Sequence, residues 1–225
     1  MAPPRPLWLA EPLSTSDGEK DPTRIGLQAE GIQAKLHGRY YEASLRGRVF
    51  IATQTAGVQI ITQGGTTSSF SLANPAGSGR NLVPIRWDLV MTATPGTPVV
   101  GIYGLYVNRD PRAAAVTGTA VAEFPVLLGT NAQAVGEPLT SSTLPAAPTL
   151  IRTLGFKGTD SKKVPVGSQR PYIQPYAIDF DGSIVLAPGT ALSIQQNVGD
   201  TSNGSGICSV IWEEVDIDSI AMEMR

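Results

Sequence analysis

Downstream of Arg48 the pattern becomes that of β-strands, and in the clearest segment apolar positions recur at every second residue. Between Val83 and Thr92 the chain places Val83, Ile85, Trp87, Leu89 and Met91 on one side and Pro84, Arg86, Asp88 and Thr92 on the other, with Val90 out of phase. That alternation predicts a half-buried antiparallel strand. The Pro95-Gly96 pair and the Val/Ile/Tyr-rich run Val99 to Val107 follow, so the two segments are expected to form a hairpin. A second hairpin is expected where Tyr176 to Phe180 meets Asp181-Gly182, a pair suited to a type I′ turn, and continues as Ser183 to Leu186. Pro188-Gly189 turns the chain into Ala191 to Ile194, and Ile207 to Val215 closes it. Further strand candidates are Val49 to Thr53, Val58 to Thr62, Ser68 to Ala73 and Val116 to Phe124. Gly129 to Pro148, rich in Ala, Thr, Ser and Pro, reads as a surface loop. Roughly eight to ten strands with turn signals between them and no βαβ alternation predict an all-β fold, an antiparallel β-sandwich whose length favours a jelly roll.

The first fifth of the chain has a different pattern. Ala2 to Thr23 interleaves Pro3, Pro4, Pro6, Pro12 and Pro22 with charges and hydroxyls, which favours extended backbone and offers little to bury. Its one large apolar cluster is Leu7, Trp8 and Leu9, the expected anchor of an arm that lies along a neighbouring subunit. Ile25, Ala29, Ile32 and Leu36 then fall at helical spacing, weakened by Gly26 and Gly31. The mixed aromatic and charged run from Gly38 to Gly47 leads into the first strand. The expected organisation is therefore an arm and lead-in over residues 1–47 and a β-sandwich domain over 48–225.

Composition narrows the chemistry. Of 225 residues only 16% are charged, against roughly 25% in average usage, while 24 glycines and 18 prolines work against helices. The net charge of −2 supplies no field to hold a nucleic-acid backbone or an anionic membrane surface. One cysteine, Cys208, and one histidine, His37, leave too few ligands for a structural zinc site and exclude an intrachain disulfide framework. No apolar run is long enough for a signal peptide or a membrane span, so the expectation is a soluble protein made in a cytoplasm.

Each candidate for chemistry has a plainer explanation. Asp179 and Asp181 share one side of a strand, as a carboxylate pair or a calcium site would, yet a turn accounts for one and a solvent face for the other. Gly77-Ser78-Gly79-Arg80 and the Gly199 to Gly206 loop have the composition of phosphate loops, but no helical pattern or Gly-Lys-Ser/Thr ending follows them. They read as turns. His37 lacks a nucleophile-elbow motif to serve, and Cys208 reads as a small buried hydrophobe. The acidic run Glu213, Glu214, Asp216, Asp218 and Glu223 reads as a solvated end, with Lys157, Lys162 and Lys163 as a small basic counterpart. The chain is expected to be no enzyme, with no catalytic residue, cofactor or metal site.

Three stretches carry a resemblance: Gly38-Arg39-Tyr40-Tyr41-Glu42-Ala43 with Arg46-Gly47-Arg48-Val49-Phe50, the segment Phe70 to Val83 around Asn74-Pro75 and Gly77-Ser78-Gly79, and the closing Ile211-Trp212-Glu213-Glu214. Together they resemble β-rich structural proteins of tailed bacteriophage particles, over about a third of the chain. The resemblance implies a virion component such as a head decoration or cement protein, a homotrimer that clamps major capsid protein or other virion proteins. A tail fibre, spike or carbohydrate-binding receptor module is the alternative, which would use Tyr40, Tyr41, Tyr103, Tyr106, Tyr172 and Tyr176 as an aromatic platform.

Overall fold

A computed structural model describes residues 39–60, 65–93, 101–108, 115–157, 176–197 and 205–217. The chain divides into two units, Met1–Tyr41 and Glu42–Arg225. Of the first, only Arg39 to Tyr41 are described, with the Arg39 guanidinium 5.4 Å from the centre of the Tyr40 ring. The expected arm with Leu7, Trp8 and Leu9, the helical spacing from Ile25 to Leu36, and His37 lie outside the described residues.

The expected lead-in contains a short helix, α1 (Tyr41–Leu45), closed by Gly47 at φ +68°. Twelve strands follow among the described residues: β1 (Val49–Thr53), β2 (Val58–Gln59), β3 (Thr67–Ala73), β4 (Arg80–Ala93), β5 (Gly101–Asn108), β6 (Thr117–Ala120), β7 (Glu123–Pro125), β8 (Glu137–Thr143), β9 (Thr149–Lys157), β10 (Tyr176–Asp179), β11 (Ala191–Asn197) and β12 (Ser205–Asp216). They form two antiparallel sheets. Sheet I has the order β10-β4-β12-β1-β7, with β2 on β12, and sheet II the order β6-β8-β3-β11-β5-β9. The fold is the expected all-β sandwich.

Pairing is long-range. If β1, β3, β4, β5, β9, β10, β11 and β12 are counted first to eighth, sheet I contains the order 1-8-3-6 and sheet II the order 2-7-4-5. The chain is thus one long folded hairpin whose first half pairs with its second half, so that Phe50 in β1 lies opposite Trp212 in β12. The core between the sheets holds Phe50, Leu82, Trp87, Leu89, Val210 and Trp212 from sheet I and Phe70, Leu72, Tyr103, Leu105, Leu192 and Ile194 from sheet II. Phe70 meets Trp87 edge-on across the gap at 5.3 Å between ring centres, an arrangement the ring quadrupole favours.

Four sequence expectations are corrected. First, β4 and β5 do not form a hairpin at Pro95-Gly96; they lie in different sheets, each paired with the last third of the chain. Second, Asp181-Gly182 does turn, with φ +49° and +77° and the Ser183 amide bonded to the Phe180 carbonyl at 2.8 Å. Its two flanks do not pair with each other. Both reach β4 instead, through Ile178 opposite Trp87 on one side and an isolated bridge between Leu186 and Leu82 on the other. Third, Val116 to Phe124 is not one strand: β6 belongs to sheet II and β7 to sheet I, and Val121 between them plugs the core, 8% exposed. Fourth, the expected loop from Gly129 to Pro148 contains β8, an inner strand of sheet II. β9 follows it without having been foreseen.

The alternation in β4 also changes phase. Ile211 lies opposite Arg86 but Trp212 opposite Pro84, so Ile85 is an extra residue, a β-bulge. Leu82 and Pro84 are buried before it and Trp87 and Leu89 after it, while Val83 is only half-buried. A proline inside a central strand is tolerated next to such a bulge because the ladder is already interrupted there. Val90, which looked out of phase, is on the solvent side, 42% exposed.

Candidate functional site

Two buried polar groups tie the turns of the sandwich down. Asn74, 2% exposed, donates from Nδ2 to the carbonyls of Arg80 and Leu186, both at 2.8 Å, and accepts from the Ser78 hydroxyl at 2.7 Å. Its own backbone bonds Thr190 and Gly189. Gly77 and Gly79, at φ +80° and +71°, complete this turn, so the glycine run is a β3–β4 connection, as expected, with Ser78 held inside it. Glu214 is the second tie. It was expected in a solvated acidic end, but β12 alternates strictly and puts its carboxylate inside, 1% exposed.

Glu214 accepts four hydrogen bonds. Oε1 takes the Val135 amide at 2.8 Å, the Gly136 amide at 2.9 Å and the Trp212 indole N–H at 3.2 Å, and Oε2 takes Arg80 at 3.0 Å. A buried carboxylate requires that degree of pairing. A Cβ on Gly136 would lie 2.8 Å from the Trp212 indole nitrogen, so only glycine brings that amide close enough. Glu214 therefore pins the segment leading into β8 onto sheet I. Asp216 joins Arg80 at the surface at 3.1 Å, and burial raises the carboxyl of Glu213 above its ordinary range, with partial relief from Arg48. Asp218, Glu223, Lys162 and Lys163 lie outside the described residues.

The remaining candidates stay apart. Asp179 is exposed and forms an ion pair with Arg86 at 3.6 Å, and Asp181 occupies the turn at positive φ, so the two serve different local purposes. Cys208 is buried in β12 as expected, and burial pushes its thiol up to about 12, with slight relief from the Trp87 indole. Tyr103 and Tyr106 are fully buried, and burial raises both phenols to about 12, for Tyr103 with a smaller contribution from Tyr176. Tyr103 packs on Tyr176 at 5.7 Å within the sandwich. These rings do not build an exposed platform for a sugar, and Tyr172 lies outside the described residues.

An open groove of about 780 Å³ runs between β6, the start of β8 and the β3–β4 turn, lined by Pro75, Ser78, Thr117, Gly118, Glu123 and Glu137 among others. Among the described residues its lining contains no aromatic ring and no cation. It offers neither a stacking surface nor a cradle for phosphate.

The outer face of sheet I is the more distinctive surface. The strand registers align Phe124 with Ile51, Ile51 with Ile211, Ile211 with Arg86 and Arg86 with Asp179. This single row crosses the whole sheet and grades from aromatic through aliphatic to cation and anion. Phe124 is 57% exposed, and Val126 and Leu128, just past the end of β7, are 38% and 81% exposed. Ile51 and Ile211 are half-buried. The adjoining edge is closed to a further strand: Val126 donates to Val49 at 2.9 Å, so Pro125 faces the open side and has no N–H to offer there. A partner can use this region by its face rather than its edge. Sequence reasoning missed the row because it joins strands scattered from residue 51 to residue 211.

No protein-family model matches the chain, and no curated protein matches it. Among solved structures, the chain is similar to one in the three-dimensional structure of Cocksfoot mottle virus, with 12% sequence identity and a TM-score of 0.24, over 75% of this chain and 96% of that one. A likeness that small carries no weight for fold or function.

Proposed function

We propose that this protein is a structural component of a virus particle that works by packing against copies of itself and other virion proteins, without catalysis. The observation that supports the reading is the order of eight of the twelve strands, 1-8-3-6 in one sheet and 2-7-4-5 in the other, as expected of a jelly roll. Jelly rolls recur in viral capsid proteins, lectins and cupins, and since a fold hosts many functions the surfaces must choose among them. A lectin groups accessible rings into a platform, and of the tyrosines expected there Tyr103 and Tyr106 are buried while Tyr41 is exposed. A metal-centred cupin needs imidazole or thiolate ligands, and the sequence offers one histidine and one cysteine. An assembly protein needs exposed apolar surface, which the outer face of sheet I provides.

Within that reading, the resemblance of the Gly38 to Phe50, Phe70 to Val83 and Ile211 to Glu214 stretches favours a decoration or cement protein of a tailed phage head, in contact with the major capsid protein and trimeric. Leu7, Trp8 and Leu9 are its arm anchor. The reading is tested by electron microscopy of the native source together with titration of purified protein onto particles that lack it. The native chain should decorate the particle with defined symmetry, and Trp8→Ala should weaken occupancy by about 30-fold, the equivalent of about 2 kcal/mol. Particles without this protein in the source, or equal occupancy by folded Trp8→Ala, would refute the assembly role and the arm anchor respectively.

A further inference from the structure

We infer that the outer face of sheet I is a self-contact, in which two copies pack face to face about a two-fold axis that runs along the strands between β1 and β12. This deepens the assembly reading by naming the surface. The argument is the row itself. A two-fold axis in that position reverses the order of strands and keeps the level along them. It therefore sets Phe124 of each copy over Arg86 of the other, and Ile51 of each against Ile211 of the other.

The chemistry matches at both positions. Ile51 and Ile211 are aliphatic and only half-buried, so each gains by covering the other. Phe124 presents an exposed ring, and Arg86 an exposed guanidinium whose N–H edge is already held by Asp88 at 2.9 Å and Asp179 at 3.6 Å. Held by its edge, the guanidinium keeps its plane free to stack on an aromatic face. The row is thus complementary to its own reversed copy, which an isologous contact requires. It has no comparable fit to a strand added at the edge, since Pro125 blunts that side. A two-fold contact links copies in pairs and leaves other surfaces free to build rings.

Exchanging the two side chains across the axis tests this geometry, since packed sheet faces lie about 10 Å apart, beyond the roughly 7 Å that a disulfide spans between Cα atoms. In sedimentation, Phe124→Arg should weaken self-association at least 10-fold, and Phe124→Arg/Arg86→Phe should restore it, with circular dichroism confirming that each variant is folded. A native chain that stays monomeric at every concentration, self-association indifferent to Phe124→Arg, or no recovery in folded Phe124→Arg/Arg86→Phe would overturn the inference. Particle decoration that persists alongside any of these outcomes would show that the face is wrong and the assembly role right. Self-association that follows the expected pattern without any particle would show the reverse.

Discussion

Across the outer side of sheet II the registers align Leu139, Ser71, Ser193, Tyr106 and Leu150 in one row, the counterpart of Phe124, Ile51, Ile211, Arg86 and Asp179 on sheet I. The small hydroxyl side chains of Ser71 and Ser193 are buried, 0% and 1% exposed, while the large Phe124 stands 57% in water. Size explains the inversion better than polarity does. Small residues in the middle of sheet II leave room for a second layer, in which Val116, Leu139 and Leu144 pack with Ala73 and Ala191. The hydroxyls are satisfied on the spot, Ser71 by Ser142 at 2.8 Å and Ser193 by the Tyr106 carbonyl at 3.4 Å. Gly104 does the same by omission, since a Cβ there would lie 2.4 Å from Leu150. The middle of sheet II is thus covered by its own chain while its outer strands β6 and β9 stay exposed, and sheet I offers apolar surface around Phe124, although Val49 on the same face is buried.

The largest expected effect concerns what the two sheets share. Trp87→Ala removes the edge-on contact with Phe70 and leaves a cavity between the sheets, and it should destabilise the domain by about 3–5 kcal/mol in urea unfolding. A loss below about 1 kcal/mol would mean that the inner faces are not one core.

The outer faces should then respond in opposite ways. Ser193→Leu forces extra volume into the second layer of sheet II and should lose about 1–3 kcal/mol. Phe124→Ser on sheet I should leave the stability of the monomer within about 0.5 kcal/mol. Equal losses at the two positions would erase the distinction between a covered face and an open one.

The smallest effect concerns Glu213 on β12, the central strand of sheet I. Burial raises the Glu213 carboxyl above its unfolded value, so the folded state holds that proton more tightly and its contribution to stability declines as pH rises through the raised value. Glu213→Gln should remove that decline, a change of less than about 1 kcal/mol because the group is partly solvated. Unfolding midpoints between about pH 4 and 7 would reveal it, and a steeper decline in the variant would contradict the assignment.

Much of this architecture was legible along the chain. Val49 to Thr53, Ser68 to Ala73 and Ile207 to Val215 are strands as expected from their composition, and Asp181-Gly182 turns at positive φ, because β propensity and backbone sterics act within a few residues. β8 was not legible, since Glu-Pro-Leu-Thr-Ser-Ser-Thr is polar enough to read as loop and becomes a strand only when β3 and β6 supply its hydrogen bonds. The candidate surface lay still further from view. Alternation alone marks two faces on every strand and is silent about which strand lies beside it, so it could neither bury Glu214 under Val135 and Gly136 nor bring Phe124 into line with Arg86. Local sequence determined β1, β3, β4, β5, β10, β11 and β12, the turn at Asp181-Gly182 and that Cys208 is buried. Which strands pair, which outer face is covered and which carboxylate is buried were decided by contacts far apart along the chain, such as Gly136 with Glu214 and Phe50 with Trp212, where free energy is gained only after long loops have closed.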